Sequence, residues 1–225
     1  MAKFLRNIIE NKYSHLLVSI ILLFLLAPFF ERFVAVLPIT HLLLFIIIIL
    51  TLRVLKVTKS VYVVVICLGF CAVVLEYLMN KGSISENNSG ALIVLLTTYI
   101  LFIGAAILFL IKNVFSERII TGDTIRGGIS IYLLMGFWWV FLYCLVVVVD
   151  SGSMVSTVGE QLDLVRLYQY SFETLTTVGY GDTIPKSELA ITLSNFEAVA
   201  GQIYLTVFIA RLVGMHLVER IRKNT

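Results

Sequence analysis

Residues 172–185 read FETLTTVGYGDTIP, a stretch with two glycines and few bulky apolar side chains inside a chain that is otherwise apolar. Of the 225 residues, 60% are hydrophobic and 14% are charged. A soluble domain has roughly 45–50% apolar residues. The composition therefore predicts an integral membrane protein, and such a protein needs a particular reason to place exposed backbone in this stretch.

Six apolar segments are long enough, or nearly so, to cross a bilayer, whose core of about 30 Å needs about 20 helical residues. They are residues 14–30, which is slightly short, 38–55, 61–79, 90–111, 128–149 and 189–217. Most of the 17 Lys and Arg residues lie at the two termini and in alternate connections, and basic residues favour the cytoplasmic side. We therefore predict an all-α integral membrane fold with six transmembrane helices per subunit and both termini in the cytoplasm.

The connection between the last two helices lies on the outer side in this topology. Its second part, residues 164–177 (LVRLYQYSFETLTT), is apolar and aromatic but too short to span a bilayer, which is typical of a re-entrant helix. Non-helical backbone is tolerated at membrane depth only where protein shields it or where it lines water. The sequence therefore predicts a re-entrant pore helix at residues 166–177, followed by a pore lining.

The lining itself, residues 177–182, has the composition of a row of backbone ligands for a cation. A dehydrated cation needs oxygen atoms in place of its water, and carbonyls supply them when the chain turns them to one side. Glycine tolerates the positive φ angles that this requires. Gly179 and Gly181 alternate with Val178 and Tyr180, whose side chains should point outward, and the Thr177 hydroxyl adds another oxygen. We predict that these five residues form an ion-binding selectivity filter.

The sequence TTVGYGD at residues 176–182 resembles the signature of the potassium channel family, and the likeness extends over YSFETLTTVGYGDTIP at residues 170–185. Gly201 is similar in placement to the inner-helix glycine at which such channels bend. The resemblance covers residues 128–218, whereas the first four helices resemble six-helix voltage-gated-type channels only in number and order. It implies a tetrameric pore, built as a homotetramer or as a heterotetramer of similar chains, in which four chains ring K⁺ at successive positions, namely Thr177, Val178, Gly179 and Tyr180.

The predicted organisation has five regions. They are a cytoplasmic N-terminus at 1–13, a four-helix voltage-sensor-like domain at 14–112, a linker at 113–127, a pore domain at 128–218 and a cytoplasmic tail at 219–225. The pore domain is divided into an outer helix at 128–149, the pore helix at 166–177, the filter at 177–182 and an inner helix at 188–218. The fourth helix, 90–111, contains no Arg or Lys. Because voltage acts on charge that moves through the membrane field, we expect little or no voltage dependence.

The resemblance also implies a support for the filter. Some potassium channels carry a glutamate at the position of Glu173 that shares a proton with the aspartate after the filter, here Asp182. Two close carboxyl groups do not both ionise readily, so one should have a raised pKa and donate a hydrogen bond to the other. Glu173 could instead bind a backbone group or water. Gln169 is a further candidate to support Asp182, from the same helical face as Glu173.

The inner helix carries the remaining candidates. Residues that recur at helical intervals near Gly201 are predicted to line the cavity, and these are Gln202, Leu205, Ile209 and Val213. Arg211 is a charge on a spanning helix. We expect it near the cytoplasmic face as a candidate gating contact that pairs with Glu117 or Asp123, with a lipid headgroup as the alternative partner.

These features predict a potassium-selective channel that conducts K⁺ passively, without enzymatic activity and with no cofactor besides the permeant ion. The expected partners are identical chains, membrane lipid and K⁺, with no nucleic acid, and no regulatory partner follows from the residues. The expected location is a plasma membrane of prokaryotic type. The alternatives are a non-selective cation channel, a silent or regulatory subunit, and a potassium-uptake transporter subunit. Such transporters usually contain internal repeats with interrupted helices, whereas this chain has one filter loop.

Overall fold

The computed structural model describes residues 13–33, 59–80, 89–117, 120–159 and 162–224. In chain order the elements are α1 (Ser14–Phe33), α2 (Lys59–Asn80), α3 (Ser89–Ser116), α4 (Gly122–Val149), β1 (Met154–Ser156), α5 (Leu164–Leu175), β2 (Thr183–Pro185) and α6 (Glu188–Asn224). The prediction of a helical chain is confirmed, and the two short strands are an addition to it. The predicted second helix, residues 38–55, lies outside the described residues.

Three of the described helices are long and apolar enough to cross a membrane, namely Ser89–Ser116, Gly122–Val149 and Glu188–Met215. Shorter apolar stretches, Ser14–Leu25 and Ile66–Leu78, lie in α1 and α2. The total of six transmembrane helices therefore stays a prediction.

The outer helix and the linker before it differ from the prediction. α4 begins at Gly122 rather than at residue 128, because Thr121 caps it. The Thr121 side chain accepts from the backbone N–H of Thr124, and the Thr124 side chain accepts from that of Thr121, each at 3.2 Å. Since α3 continues to Ser116, the predicted linker at 113–127 shrinks to residues 117–121.

The pore helix is displaced by two residues toward the N-terminus, because α5 spans Leu164–Leu175 instead of 166–177. Asp163 caps its start, where the carboxylate accepts from the backbone N–H of Arg166 at 2.8 Å. Its end is fixed by Thr177, whose φ of 62° cannot continue a right-handed helix. The inner helix is longer than predicted and continues past residue 218 to Asn224.

α4 packs against α3 of the same chain. The Trp138 indole N–H donates to the backbone carbonyl of Ile100 at 2.9 Å, and the Tyr99 ring stacks on the Phe141 ring with centroids 5.0 Å apart. α1 contacts α5, where the Tyr168 hydroxyl donates to the Phe24 carbonyl at 2.9 Å. α5 therefore contacts α1, α4 and α6 of its own chain.

A two-stranded antiparallel ribbon joins the segment after α4 to the segment after residues 177–182. β1 pairs with β2 in the register Met154 to Pro185, Val155 to Ile184 and Ser156 to Thr183. The backbone N–H of Lys186 also donates to the Ser153 carbonyl at 2.7 Å. The ribbon fixes the chain where it leaves the predicted filter.

Candidate ion-conduction site

The end of α5 carries the segment predicted to bind ions. The Thr177 N–H donates to the Thr174 carbonyl at 3.1 Å, and the Val178 N–H donates to the Glu173 carbonyl at 2.8 Å. The Tyr132 hydroxyl of α4 donates to the Leu175 carbonyl at 3.0 Å. These bonds hold the base of the segment at the C-terminal end of α5, where helix carbonyls carry partial negative charge.

The backbone of this segment alternates in conformation. Thr177, Gly179 and Gly181 have φ angles of 62°, 59° and 77°, whereas Val178 and Tyr180 between them have no positive φ. Such an alternation is the geometry by which successive carbonyls of an extended chain turn to one side. The glycine positions agree with the sequence reasoning. The positive φ of Thr177 was not expected from the sequence, because a β-branched residue rarely adopts such an angle. Its conformation is a local strain of the kind found at functional sites.

The side chains of this segment are open on the single chain. Val178 is 54% exposed and Tyr180 is 79% exposed. A Cβ added at Gly179 or Gly181 would meet no atom within 4 Å. The glycines are therefore required by backbone conformation and not by crowding within the chain.

Glu173 lies directly behind the segment. Its carboxylate accepts from the backbone N–H of Tyr180 at 3.3 Å. Burial raises the pKa of Glu173 and the charge of Asp182 raises it further, while the Tyr180 N–H and the charge of Arg166 oppose this rise. The two predicted carboxyl groups are therefore close enough to interact electrostatically, and a backbone N–H is one partner of Glu173.

Asp182 pairs with a residue that the sequence reasoning did not select. Its Oδ2 accepts from Arg166 Nη1 at 2.9 Å, and the two side chains are 22% and 19% exposed. Its Oδ1 is buried and has no hydrogen-bond partner within the described parts of the chain. Gln169, predicted to support Asp182, is exposed, and Arg166, one turn earlier, forms the contact instead.

The residue that follows β1, Thr157, supplies a second support at the C-terminal end of the segment. The Thr157 N–H donates to the Asp182 carbonyl at 2.8 Å, and the Thr157 hydroxyl lies 2.8 Å from the Gly181 carbonyl. Sequence reasoning did not select Thr157. Thr157 and Gly181 are more than twenty positions apart, so local periodicity in the sequence does not predict this contact.

Gly201 on α6 packs against the end of α5. A Cβ at this position would lie 2.6 Å from the Leu175 carbonyl oxygen, so only glycine permits this approach without movement. α6 is continuous through Gly201, and the predicted bending at this residue stays a prediction. Four residues were predicted to line the cavity. On the single chain Leu205 is half-buried, and the others, Gln202, Ile209 and Val213, are exposed.

Arg211 connects α6 to the end of α3. Its guanidinium donates to the Val114 carbonyl at 2.9 Å and to the Glu117 carbonyl at 2.7 Å, and it lies 4.9 Å from the centroid of the Phe115 ring. The expected partner Glu117 is thus contacted through its backbone, while the Asp123 carboxylate accepts from the Tyr13 N–H at 3.1 Å. A cation at the C-terminal end of a helix is stabilising, so Arg211 fastens the inner helix to α3.

Replacing Arg211 by alanine should lower the free energy of unfolding by about 1.5–3 kcal/mol, because two charged hydrogen bonds to helix-end carbonyls are lost. Arg211→Lys should recover only part of this, since an ammonium lacks the planar fork. Thermal unfolding of the purified protein in detergent measures the change. Lys112→Ala, which removes an exposed basic residue from α3, is the matched control. Equal unfolding temperatures for Arg211→Ala and Lys112→Ala would contradict the assignment.

Glu197 is a buried ionisable residue that sequence reasoning missed. It lies on α6 with 0% exposure. The Tyr143 hydroxyl donates to its Oε2 at 2.6 Å, and Ser171 Oγ lies 2.6 Å from its Oε1. The sequence could have identified Glu197, because an ionisable residue within a predicted transmembrane helix is by default a functional candidate.

Comparison with known proteins supports the character of this region. A family model described as "Ion channel" matches residues 129–216, which is under half of the chain and includes α5 and residues 177–182. No curated protein and no solved structure matches the chain. The family match supports an ion channel, and together with the apolar helices it supports a membrane protein.

Proposed function

We propose that the protein is a potassium-selective channel that conducts K⁺ passively through a filter formed by residues 177–182 of four identical chains. The observation that carries the proposal is the alternation of positive φ at Thr177, Gly179 and Gly181 directly after the C-terminal end of α5. K⁺ is the transported ion, and backbone carbonyls of Thr177, Val178, Gly179 and Tyr180 would replace its water.

Each part of the chain has a defined task in this proposal. α5 directs its C-terminal carbonyls toward the cavity, where their partial negative charge favours a cation. Arg166 and Thr157 hold the outer end of the filter through Asp182 and Gly181. Gln202, Leu205, Ile209 and Val213 would line the cavity, with bending at Gly201 as the proposed movement of α6.

Assembly from identical chains is supported by the surfaces that one chain leaves uncovered. Tyr180 and Val178 lack enough neighbours in the single chain to fix a filter diameter, and α6 exposes Phe196, Val199 and Ile203 by 54–63%. One chain also supplies only one strand of carbonyls, whereas four surround an ion. We propose a homotetramer in lipid, in a plasma membrane of prokaryotic type with cytoplasmic termini, and its mass in detergent checks the stoichiometry.

Weak or absent voltage dependence is the second part of the proposal. Lys112, near the cytoplasmic end, is the only basic residue in α3. Each elementary charge that crosses the field contributes about 2.3 kcal/mol per 100 mV, and α3 has no series of such charges. We therefore expect a shallow relation between conductance and voltage in planar bilayers.

The Glu173 and Asp182 pair is proposed to brace the filter. The buried Oδ1 of Asp182 lacks a partner among the described residues and is the acceptor that a protonated Glu173 requires. Because burial and Asp182 raise the pKa of Glu173, this carboxyl should keep its proton to a higher pH than an ordinary glutamate, whose pKa is about 4.3.

The brace should therefore be strongest in acid and should weaken as external pH rises through the raised pKa of Glu173. Current decay during sustained recording should accelerate over that range. Glu173→Gln keeps a neutral donor and should decay slowly at every pH, whereas Glu173→Ala should decay fast at every pH. Glu188→Gln, which changes an exposed acid, should leave the pH dependence intact. If current decay in both Glu173 variants had the pH dependence of the parent, the proposed brace would be wrong.

The test of the function is ion flux through the pure protein in liposomes. Reversal potentials in mixed K⁺ and Na⁺ should follow the K⁺ gradient. A potential that follows both ions would indicate a non-selective cation channel, and uptake against a gradient would indicate a transporter subunit. A correctly assembled protein without flux would indicate a silent or regulatory subunit, with a separate partner chain still to be identified.

A further inference from the structure

A serine on the pore helix contacts two oxygen atoms at once. Ser171 Oγ lies 2.9 Å from the Gly136 carbonyl oxygen of α4 and 2.6 Å from Glu197 Oε1 of α6. A hydroxyl group has one hydrogen to donate, and a backbone carbonyl can only accept. If Ser171 donates to Gly136, the hydrogen between Ser171 and Glu197 must belong to the carboxyl group.

The other oxygen of Glu197 fits the same assignment. The Tyr143 hydroxyl donates to Oε2 at 2.6 Å, so the carboxyl group accepts on one oxygen and donates from the other. Glu197 forms no ion pair within the described chain. The titratable groups facing it are Tyr132 and Tyr143 from α4 and Tyr170 from α5. A fully buried carboxylate without a cation is unfavourable, whereas a neutral acid satisfies every atom of this network.

The network lies at the crossing of the pore helix and the inner helix. Ser171 and Leu175 are one turn apart on α5, and Glu197 and Gly201 are one turn apart on α6. Ser171 contacts Glu197, and the Leu175 carbonyl packs against Gly201. Just above, the hydroxyls of Tyr170 and Ser194 form a further bond between the same helices. The two helices are therefore fastened over consecutive turns, immediately behind the filter.

We propose that Glu197 is a positioning residue that, as a neutral carboxylic acid, fastens the pore helix to the inner helix beside Gly201. Ionisation of Glu197 would recruit the Ser171 hydrogen and release the Gly136 carbonyl, which would loosen the pore helix. This inference rests on the proposed channel function only where flux is the readout, because the protonation state of Glu197 is measurable without transport.

Infrared difference spectroscopy of the full chain in detergent tests the protonation. The parent at neutral pH should show the C=O stretching band of a protonated carboxylic acid, and Glu197→Gln should remove that component. Glu188→Gln, a matched change of an exposed acid on the same helix, should leave it. If the protonated-acid band of Glu197→Gln equals that of the parent, Glu197 is ionised and the proposal is wrong.

Flux measurements in liposomes test the positioning role. Glu197→Gln can donate to Ser171 and accept from Tyr143, and it should conduct like the parent. Glu197→Ala and Ser171→Ala should each reduce flux by about tenfold, because each leaves a buried polar group unsatisfied. The double variant should be little worse than either single one, since the residues act as a unit.

The outcomes separate the two proposals. Parent-like flux in both alanine variants would overturn the positioning role, and so would a tenfold loss in Glu197→Gln. If Glu197→Ala fails to fold, Ser171→Ala and Glu197→Gln still decide the question. A parent protein without flux would count against the proposed function, while the infrared result on Glu197 would still stand.

Discussion

Gly179→Ala should abolish ion flux while leaving the rest of the chain folded. Gly179 has a φ of 59°, a conformation that costs an L-residue with a Cβ roughly 1–2 kcal/mol. In the proposed four-chain pore that cost would recur in every chain, and a relaxed backbone would no longer turn its carbonyls toward the ion. K⁺-driven flux in liposomes, together with a thermal unfolding curve, distinguishes loss of function from loss of fold.

Gly159→Ala is the matched control for this variant. Gly159 has a φ of 75° and, like Gly179, meets no atom within 4 Å of an added Cβ. It lies in the connection between β1 and α5, two residues after Thr157 and outside residues 177–182. We expect it to lower stability by about 1 kcal/mol and to keep flux. Equal flux in the two variants would mean that residue 179 does not line the pathway.

Arg166→Gln should reduce flux by about tenfold and change the pH range over which the current decays. The substitution removes the cation that pairs with Asp182 at 2.9 Å and leaves a partly buried carboxylate beside Glu173, at a cost of about 1–3 kcal/mol. Because the charge of Arg166 opposes the raised pKa of Glu173, its loss should also shift the pH dependence of decay upward. Current decay recorded over a pH series measures both effects.

Two further variants test whether the ion pair between Arg166 and Asp182 causes this effect. Lys186→Gln removes an exposed basic residue just after β2 and should change little. Arg166→Gln combined with Asp182→Asn removes both charges and should recover much of the lost flux, since deleting both partners of a pair costs less than deleting one. If the double variant is as impaired as the sum of the single ones, the ion pair does not support the filter.

The glycines of the candidate filter, residues 177–182, could be predicted because their chemistry is local. Gly179 and Gly181 alternate with side-chain-bearing residues, and positive φ at both follows from the requirement for aligned carbonyls. Thr177 could not be predicted in the same way, because its conformation is unfavourable for an isolated threonine. Its neighbours impose it, through the bonds of residues 177 and 178 to the last turn of α5.

The residues that support the candidate filter were harder to predict from the sequence, because they act through tertiary contacts. Arg166 reaches Asp182 across 16 positions, and Thr157 reaches Gly181 across 24. Glu173 was found through its family position, but one of its partners is a backbone N–H that no side-chain pattern indicates. Glu197 is different, since a carboxyl group within an apolar helix was readable from the sequence alone.

Element boundaries were missed where capping residues decide them. Asp163 and Thr121 each start a helix earlier than apolar content suggested, because polar first turns still form helix when the cap is satisfied. Gly201 was expected to act through bending, whereas its close approach to Leu175 already requires a glycine. A sequence pattern places such a residue but does not distinguish these two reasons.

The connection between α3 and α4 is short and limits how far apart the two helices of one chain can lie. Residues 117–121 separate the helices, and five residues reach at most about 17 Å when fully extended. With Trp138 bonded to Ile100 and Arg211 bonded to the end of α3, each chain holds α3 beside its own α4 and α6. In the proposed tetramer, α3 of each subunit would therefore lie beside α4 and α6 of the same subunit and not beside those of a neighbour.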